Sequence, residues 1–526
     1  MTRLIRLMVL ACALFGLATT ADAATRGGTL TYARYADSLL LDPVFNDANV
    51  DIWILTNLYD TLLMPTADGK GVSPGLATEY KVADDGLTFT LKIRQGVKFG
   101  DGSPMTVDDV KWSLDRARNP KNGIWNFIVE SIDSIETQGT DTVVLHLKHP
   151  DPTLAAGLAT FNTAILPQKL YEAAAGSTDE EKAKAFAEKP VGTGPFVFDS
   201  WQRGTEMVLK RNPNYWQMGE DGKPLPYLDE IRFPVIPDDA TRILKLQAGE
   251  VDGAELIPYA RVNELKNDPA LDMELYPSTK VTFLTMNVRP TLTDGTKNPL
   301  ADERVRQALN YAIDKSALIK IVTFDVGKPV VSFMSSATPL VDDQGPAYPF
   351  DASKAKALLA DAGYGNGAEV SCIALAGSAD DTAILTTIQQ MWAQVGVKLK
   401  IDQMDNATRT AHYRAGDFQM RTSLWTDDIN DPSEITSYFA YYPQIQSLHG
   451  GYQDKTIDDL YTKSQQEMDS AKRADMYKQI QQTYMKAAPI IFLYQSPYPV
   501  ALRKQVKGFV QIPLGNNIFA GASVEK

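Results

Sequence analysis

A chain of 526 residues with 44% hydrophobic and 22% charged residues is globular and too long for one core, so two or three domains are expected at roughly 150 residues each. The formal net charge of −13 argues against nucleic acid as a partner, because that would need a basic face. Charge of this kind says nothing about fold.

The first residues address the compartment. Arg3 and Arg6 form a short basic segment, residues 7–17 are apolar, and Ala21-Asp22-Ala23 supplies the small-x-small pattern of a signal-peptide cleavage site. This apolar run is too short to span a bilayer as a helix, and no later one reaches the roughly 18 residues a span requires. The expectation is a signal peptide over residues 1–23, cleavage after Ala23, and an exported, periplasmic product. Cys12 stands in "VLAC", a poor lipid-anchoring motif because Leu10 occupies a position where a small residue is usual. Once the leader is removed only Cys372 remains, which excludes an intramolecular disulfide. In "VSCIAL" it reads as a buried strand residue.

"GGTLTYAR" (27–34) reads as a first strand after a glycine pair. In "GLTFTLKIRQGVKFGDGSPMTVDDVKWSLDR" (86–116), Phe89, Leu91 and Ile93 alternate on one strand face. "GDGSP" then turns the chain, and Thr106 with Asp109 three residues on opens a helix as a capping box. "DTVVLHLKHPD" (141–151) is another alternating strand. Further on, residues 301–322 carry Val305, Ala308, Leu309, Ala312 and Ile313 at helical spacing, with Asp302 and Glu303 in the favourable first turn. Residues 351–364 form a short helix closed by Gly363. Residues 381–402 form a helix stopped by Gly396, followed by a strand in which Val397, Leu399 and Ile401 alternate with lysines. "SAKRADMYKQIQQTYMKAAPIIFLYQ" supplies a last helix and a continuous apolar strand. Helix–strand alternation of this kind predicts an α/β lobe.

Motifs for chemistry are missing. His146 and His149 stand three apart on a predicted strand, so they point to opposite faces and do not share a metal. "VGTGPF" (191–196) has no Gly-Lys-Ser/Thr and leads into a strand, so it is no phosphate cradle. No Gly-x-Ser-x-Gly and no His-Glu-x-x-His occurs. No catalytic residue, metal or cofactor is expected.

Eight stretches in order resemble the solute-binding proteins that serve peptide-type ABC importers, the dipeptide-, oligopeptide- and nickel-binding group called family 5. They are "LATEYKVADDGLTFTLKIRQGVKFGDGSPMTVDDVKWSLDR", "PVGTGPFVFDSWQRGTEMVLKRNPNYW", "LKLQAGEVDGAEL", "LTMNVRP", "ADERVRQALNYAIDKSAL", "FDASKAKALLADAGY", "MWAQVGVKLKID" and "LWTDDINDP". The resemblance implies an α/β, two-lobed periplasmic-binding-protein fold (type II-like), with an extra subdomain in lobe I and a two-strand hinge. Lobe I is placed at 24–280, with the extra subdomain about 46–190, lobe II at 281–495, and the return to lobe I at 496–526. The crossings are expected near 281–287 and 491–498, and the loop at 190–195 is the return from the subdomain. The ligand lies between lobes that close on it. The implied partners are a small-molecule or peptide ligand and inner-membrane ABC permease subunits with their ATPases. The protein itself is expected to be a monomer.

The resemblance also assigns "RTSLWTDDINDP" (421–432). In dipeptide and oligopeptide binders the Asp three residues after this Trp takes the ligand's terminal ammonium, which here is Asp428. A buried ammonium needs a formal negative partner, and Trp425 walls the pocket with apolar area and a ring face. Asp427 and Asp431 read as turn residues. Thr426 and Tyr35 complete the expected ligand-contacting set with Arg421. One departure stands out: dipeptide binders carry an Arg before the helix at 381–395 that clamps the peptide carboxylate, whereas here "ALAGSADD" (374–381) has no basic residue. Arg421, on the strand face of Ser423 and Trp425, is the candidate substitute, against the reading of an exposed strand-end arginine. The ligand is therefore expected to be an amine-bearing solute, a peptide first of all. A longer peptide with its carboxylate free, or a non-peptide ligand such as an opine-like conjugate, a polyamine or a metal chelate, stands as an alternative, as do a hydrolase and a sensory or chaperone-like module on the same fold.

Overall fold

The computed structural model describes residues 25–525 apart from 47 and 345–347. The expected signal peptide and Cys12 lie outside the described residues.

Two sheets organise the chain. The first has seven strands in the order Leu271–Tyr276, Tyr498–Arg503, Gly253–Ala254, Thr29–Ala33, Glu230–Pro234, Glu206–Arg211, Phe196–Gln202. The second has six, in the order Lys328–Pro329, Ile490–Gln495, Val281–Met286, Met420–Trp425, Ala368–Leu375, Val397–Met404. Each is flanked by helices and owns its own core. Leu30, Tyr32 and Phe233 pack with Phe519 below the first sheet. Beneath the second lie Leu284, Val305, Leu309 and Trp392, whose indole Nε1 donates to the Leu309 carbonyl (3.1 Å). Cys372 is fully buried in that core, as its apolar strand requires. The fold is thus mixed α/β and two-lobed.

A four-stranded antiparallel sheet, Ala77–Val82, Thr88–Ile93, Thr142–Leu147 and Ile132–Gln138, precedes the return to the first sheet. The helix Val107–Ala117 packs on it and begins with both halves of the capping box, Thr106 and Asp109. Glycines allow the return at 190–195. A Cβ at Gly192 would stand 2.1 Å from the Leu58 carbonyl oxygen, and the Gly194 N–H donates to that same oxygen.

Two expectations need correction. The helix expected over 301–322 is two helices, Glu303–Tyr311 and Lys315–Val322, because the Asp314 carboxylate accepts from the Ala317 N–H and caps a new start. The chain passes between the sheets at 277–280, just before the expected 281–287, and at 496–497, inside the expected 491–498. Residues 281–286 are all buried and pair along both edges, so that apolar run is an interior strand of the second sheet. The two crossings are tied together: the Ser278 hydroxyl donates to the Ser496 carbonyl and the Ser496 N–H to the Lys280 carbonyl.

Candidate functional site

The strand Met420–Trp425 runs antiparallel to Val281–Met286, pairing Trp425 with Val281, the first strand residue after the crossing. Its end therefore emerges where the lobes meet, and the loop after it faces the first lobe. The Asn430 side-chain amide donates to the Gly71 carbonyl (2.7 Å), a contact between lobes.

The three aspartates of the loop have three different surroundings. Asp427 is 1% exposed; it accepts from the Thr338 hydroxyl (2.7 Å) and the Trp425 indole (3.0 Å), while its own N–H donates to the Thr279 hydroxyl (2.8 Å). Burial pushes its carboxyl up to about 7. Asp431 is held by Arg473 through two bonds of 2.7 Å and also accepts from the Ser433 N–H. Both stand in the loop, as turn residues would, but both are buried and bonded, because the loop is roofed by the last long helix and by residues 335–338. Asp428 keeps part of its surface exposed, yet its carboxyl sits among dense protein atoms that push it up to about 6.

Beside Asp428 stands Glu434, 5% exposed, on the helix Ser433–Phe439. Its Oε2 accepts from the N–H groups of Asp428 (2.9 Å) and Ile429 (3.2 Å), which ties the helix to the loop beside Asp428. Burial, then Asp428 and Asp427, hold Glu434 well above the usual carboxylate range. No cation pairs with these two carboxyls among the described residues.

On the other side of Trp425 lies a cavity of about 520 Å³, lined among others by Tyr259, Lys280, Arg409, Tyr413, Arg421 and Trp425. Tyr259 comes from the first lobe and Lys280 from a crossing, so the cavity lies between the lobes. The Trp425 ring is 4.8 Å from that of Tyr438, which lines the same space. Two guanidiniums line this cavity together with Asp380 and Asp381, and of the two Arg409 is the one in a salt bridge. Asp381 accepts through Oδ2 from Arg409 (2.9 Å), Thr422 (2.6 Å) and the Leu375 N–H (2.8 Å). Arg421 stacks 4.2 Å over the Tyr413 ring, and its Nε is buried without a partner. Burial, then the Arg409 charge, push its pKa down. A second cavity, about 190 Å³, lies inside the first lobe among Leu55, Met64, Phe161 and Ile512 and carries none of these free charges.

Of the expected set, Arg421 and Trp425 come together in the interlobe cavity, while Asp428 lies beyond it on the loop. Thr426 is half-buried between them in sequence. Tyr35 sits in the first lobe, half-buried, its ring 6.2 Å from Trp53, which in turn meets Tyr498. Tyr498 also feels the charge of Asp428 and so links the two sides. Arg409, Lys280, Tyr438 and Glu434 escaped the sequence reading. Only Glu434 left a local sign, a fourth acidic side chain six residues after Asp428. Among the described residues no group of three or more His, Cys, Asp or Glu side chains is placed to hold a metal.

A charged cavity between two α/β lobes joined by two crossings defines a cleft-type solute receptor. The model for the bacterial extracellular solute-binding proteins, family 5 (middle region), matches residues 71–447, and the chain belongs to that family. The chain is 30% identical over 483 residues to the glutathione-binding protein GsiB of Salmonella typhimurium, covering 90% of each chain. It is 28% identical over 537 residues to the dipeptide-binding protein of Escherichia coli, covering 97% of each. The structure of HbpA2 from Haemophilus parasuis superposes with a TM-score of 0.82 at 27% identity, over 95% of this chain and all of the other.

Proposed function

We propose that this protein is exported, loses residues 1–23, and works in the periplasm as a monomeric receptor. It captures a peptide-type solute between its lobes and hands it to an inner-membrane ABC permease and its ATPases, with no chemistry of its own. The ligand's ammonium binds at Asp428 and its carboxylate reaches Arg421, with Trp425, Thr426 and Tyr35 walling the space between. The observation that carries this reading is charge imbalance at both ends: carboxyls without a cation at Asp428 and Glu434, and a guanidinium without an anion at Arg421. Unpaired buried charge is costly, and a zwitterionic ligand removes the cost at both ends at once. The glutathione- and dipeptide-binding relatives support a peptide. An opine-like conjugate carries the same pair of charges, so the test panel includes one.

Calorimetric titration with di-, tri- and tetrapeptides, glutathione and an opine tests this. Asp428→Asn keeps the shape and removes the charge, and is expected to cost roughly 3–5 kcal/mol, about two to three and a half decades in Kd. Acetylation of the ligand amine should cost a similar factor. Binding by Asp428→Asn within a few-fold of the unaltered protein, or a best ligand with no cationic nitrogen, sinks the proposal.

A further inference from the structure

Arg421 is held by a ring rather than by a carboxylate. Its guanidinium carbon lies 4.2 Å over the centre of the Tyr413 ring, and its Nε is buried without a partner. Neither Asp380 nor Asp381 of the same cavity forms a salt bridge with it among the described residues. The two ways of holding an arginine differ in what they leave over. A salt bridge occupies N–H donors and cancels the charge. A stack fixes the plane of the guanidinium from one face, keeps the charge, and leaves the donors at its edge free. A carboxylate approaching in that plane meets a two-pronged partner already oriented.

Two periodicities bring the ring there. Tyr413 stands four residues after Arg409 on the helix Asn406–Ala415, so both share one helix face, and both line the cavity. Arg421, Ser423 and Trp425 alternate along the strand Met420–Trp425 and line it as well. The ring is itself backed: His449 meets it edge-to-face at 4.7 Å and 82°, and the Phe418 ring lies 5.7 Å away. His449 ends a run in which Gln446, Ser447, Leu448 and His449 all have φ between 51° and 56°, a left-handed conformation that L side chains rarely adopt. Arg289 pins this run, donating through Nη1 to the His449 carbonyl (2.9 Å) and through Nη2 to the Gln446 side chain (2.6 Å). A turn kept in so sparse a region by its surroundings gives the ring a fixed back.

We propose that Tyr413 is the positioning residue of carboxylate capture: its ring holds the Arg421 guanidinium flat and unneutralised, with its free donors turned to the carboxylate of the solute. This rests on the reading of Arg421 as the carboxylate site. It adds that the ring is what matters and the hydroxyl is dispensable. It also adds that the site prefers a solute with a free carboxylate to the amide of the same solute.

The first test needs no ligand. In nuclear magnetic resonance spectra of the arginine Nε–H groups, the Arg421 signal, identified by its loss in Arg421→Lys, should be shifted upfield by the ring current of Tyr413. Tyr413→Phe should keep that shift and Tyr413→Leu should abolish it; an unshifted signal in the unaltered protein overturns the proposal. The second test is calorimetric affinity for tri-alanine and for tri-alanine amide at pH 7, in the unaltered protein, Tyr413→Phe, Tyr413→Leu and Arg421→Gln. The ratio of the two affinities is the readout that a merely structural role would not move, since a damaged fold weakens acid and amide alike. It should favour the acid at least about tenfold in the unaltered protein. Tyr413→Phe should hold it within about threefold of that value, and Tyr413→Leu should lower it about five- to tenfold. Acid and amide weakened equally in Tyr413→Leu, while Arg421→Gln still collapses the ratio, overturns the positioning role and leaves the carboxylate site standing. A ratio unchanged in Arg421→Gln removes that site and this inference with it. Binding of neither probe by the unaltered protein at millimolar concentration overturns both.

Discussion

Asp427, Asp428 and Asp431 are the same side chain within five positions, and environment alone separates their roles. Asp431 meets a guanidinium, Asp427 two neutral donors, and Asp428 gives its backbone N–H to Glu434. The difference has a consequence for pH. Asp427 is raised by burial to about 7 from an ordinary carboxylate value, so between those limits the folded chain binds a proton that the unfolded chain has released. Its contribution to stability is therefore fully present below the unfolded value and is lost as pH rises through about 7. Asp60, raised to about 7 behind Trp216 and Tyr215, acts in the same sense. The ligand-free protein should accordingly melt several degrees higher near pH 5.5 than near pH 8, and Asp427→Asn should flatten that slope. Scanning calorimetry across this range checks it, and a melting temperature that rises with pH throughout would contradict the assignment. Acid thus strengthens the empty fold.

At the scale of elements, local signals were legible where a single turn or strand decides the outcome. The Thr106–Asp109 cap, the alternation at Phe89, Leu91 and Ile93, and the stop at Gly396 all reappear as structure, because each depends on neighbours in sequence. The break at Asp314 was hidden because the apolar spacing on either side of it is helical. Arg409 was hidden for another reason: it reaches the cavity from the helix Asn406–Ala415, 28 residues beyond its partner Asp381, and no pattern in the chain records that distance. Asp431 does serve the turn before Pro432, but its pairing was hidden because its partner Arg473 belongs to the helix Ser470–Ala487. That pair joins the binding loop to the helix with both partners under a tenth exposed. Asp431→Asn leaves Arg473 buried without its anion and should cost about 3 kcal/mol in urea unfolding. Affinity measured well below the melting transition should change less than tenfold. A loss under about 0.5 kcal/mol would show that water reaches Arg473 and that the loop is held by other contacts.

At the scale of the molecule, what matters is how little joins the two lobes. The chain crosses at 277–280 and 496–497, and the serines there hold the two passages side by side, so rotation about them disturbs neither sheet. Across the mouth, Asn430 reaches Gly71 with its amide while its own carbonyl oxygen is buried without a partner. Ile429 of the same loop packs into the first lobe's core, beside a cavity of about 520 Å³ between the lobes. A ligand that touches Arg421 and Tyr35 together interacts only with the closed arrangement, and differential affinity of this kind is what shifts a two-state equilibrium. The radius of gyration from small-angle scattering should therefore fall when a peptide saturates the protein. Glu434→Ala, with its loop released, should need more peptide for the same change. An unchanged radius at saturation would mean that the lobes are already closed without ligand. The two crossings would then be rigid struts, and the solute would have to enter through local motion of the loop at 426–432.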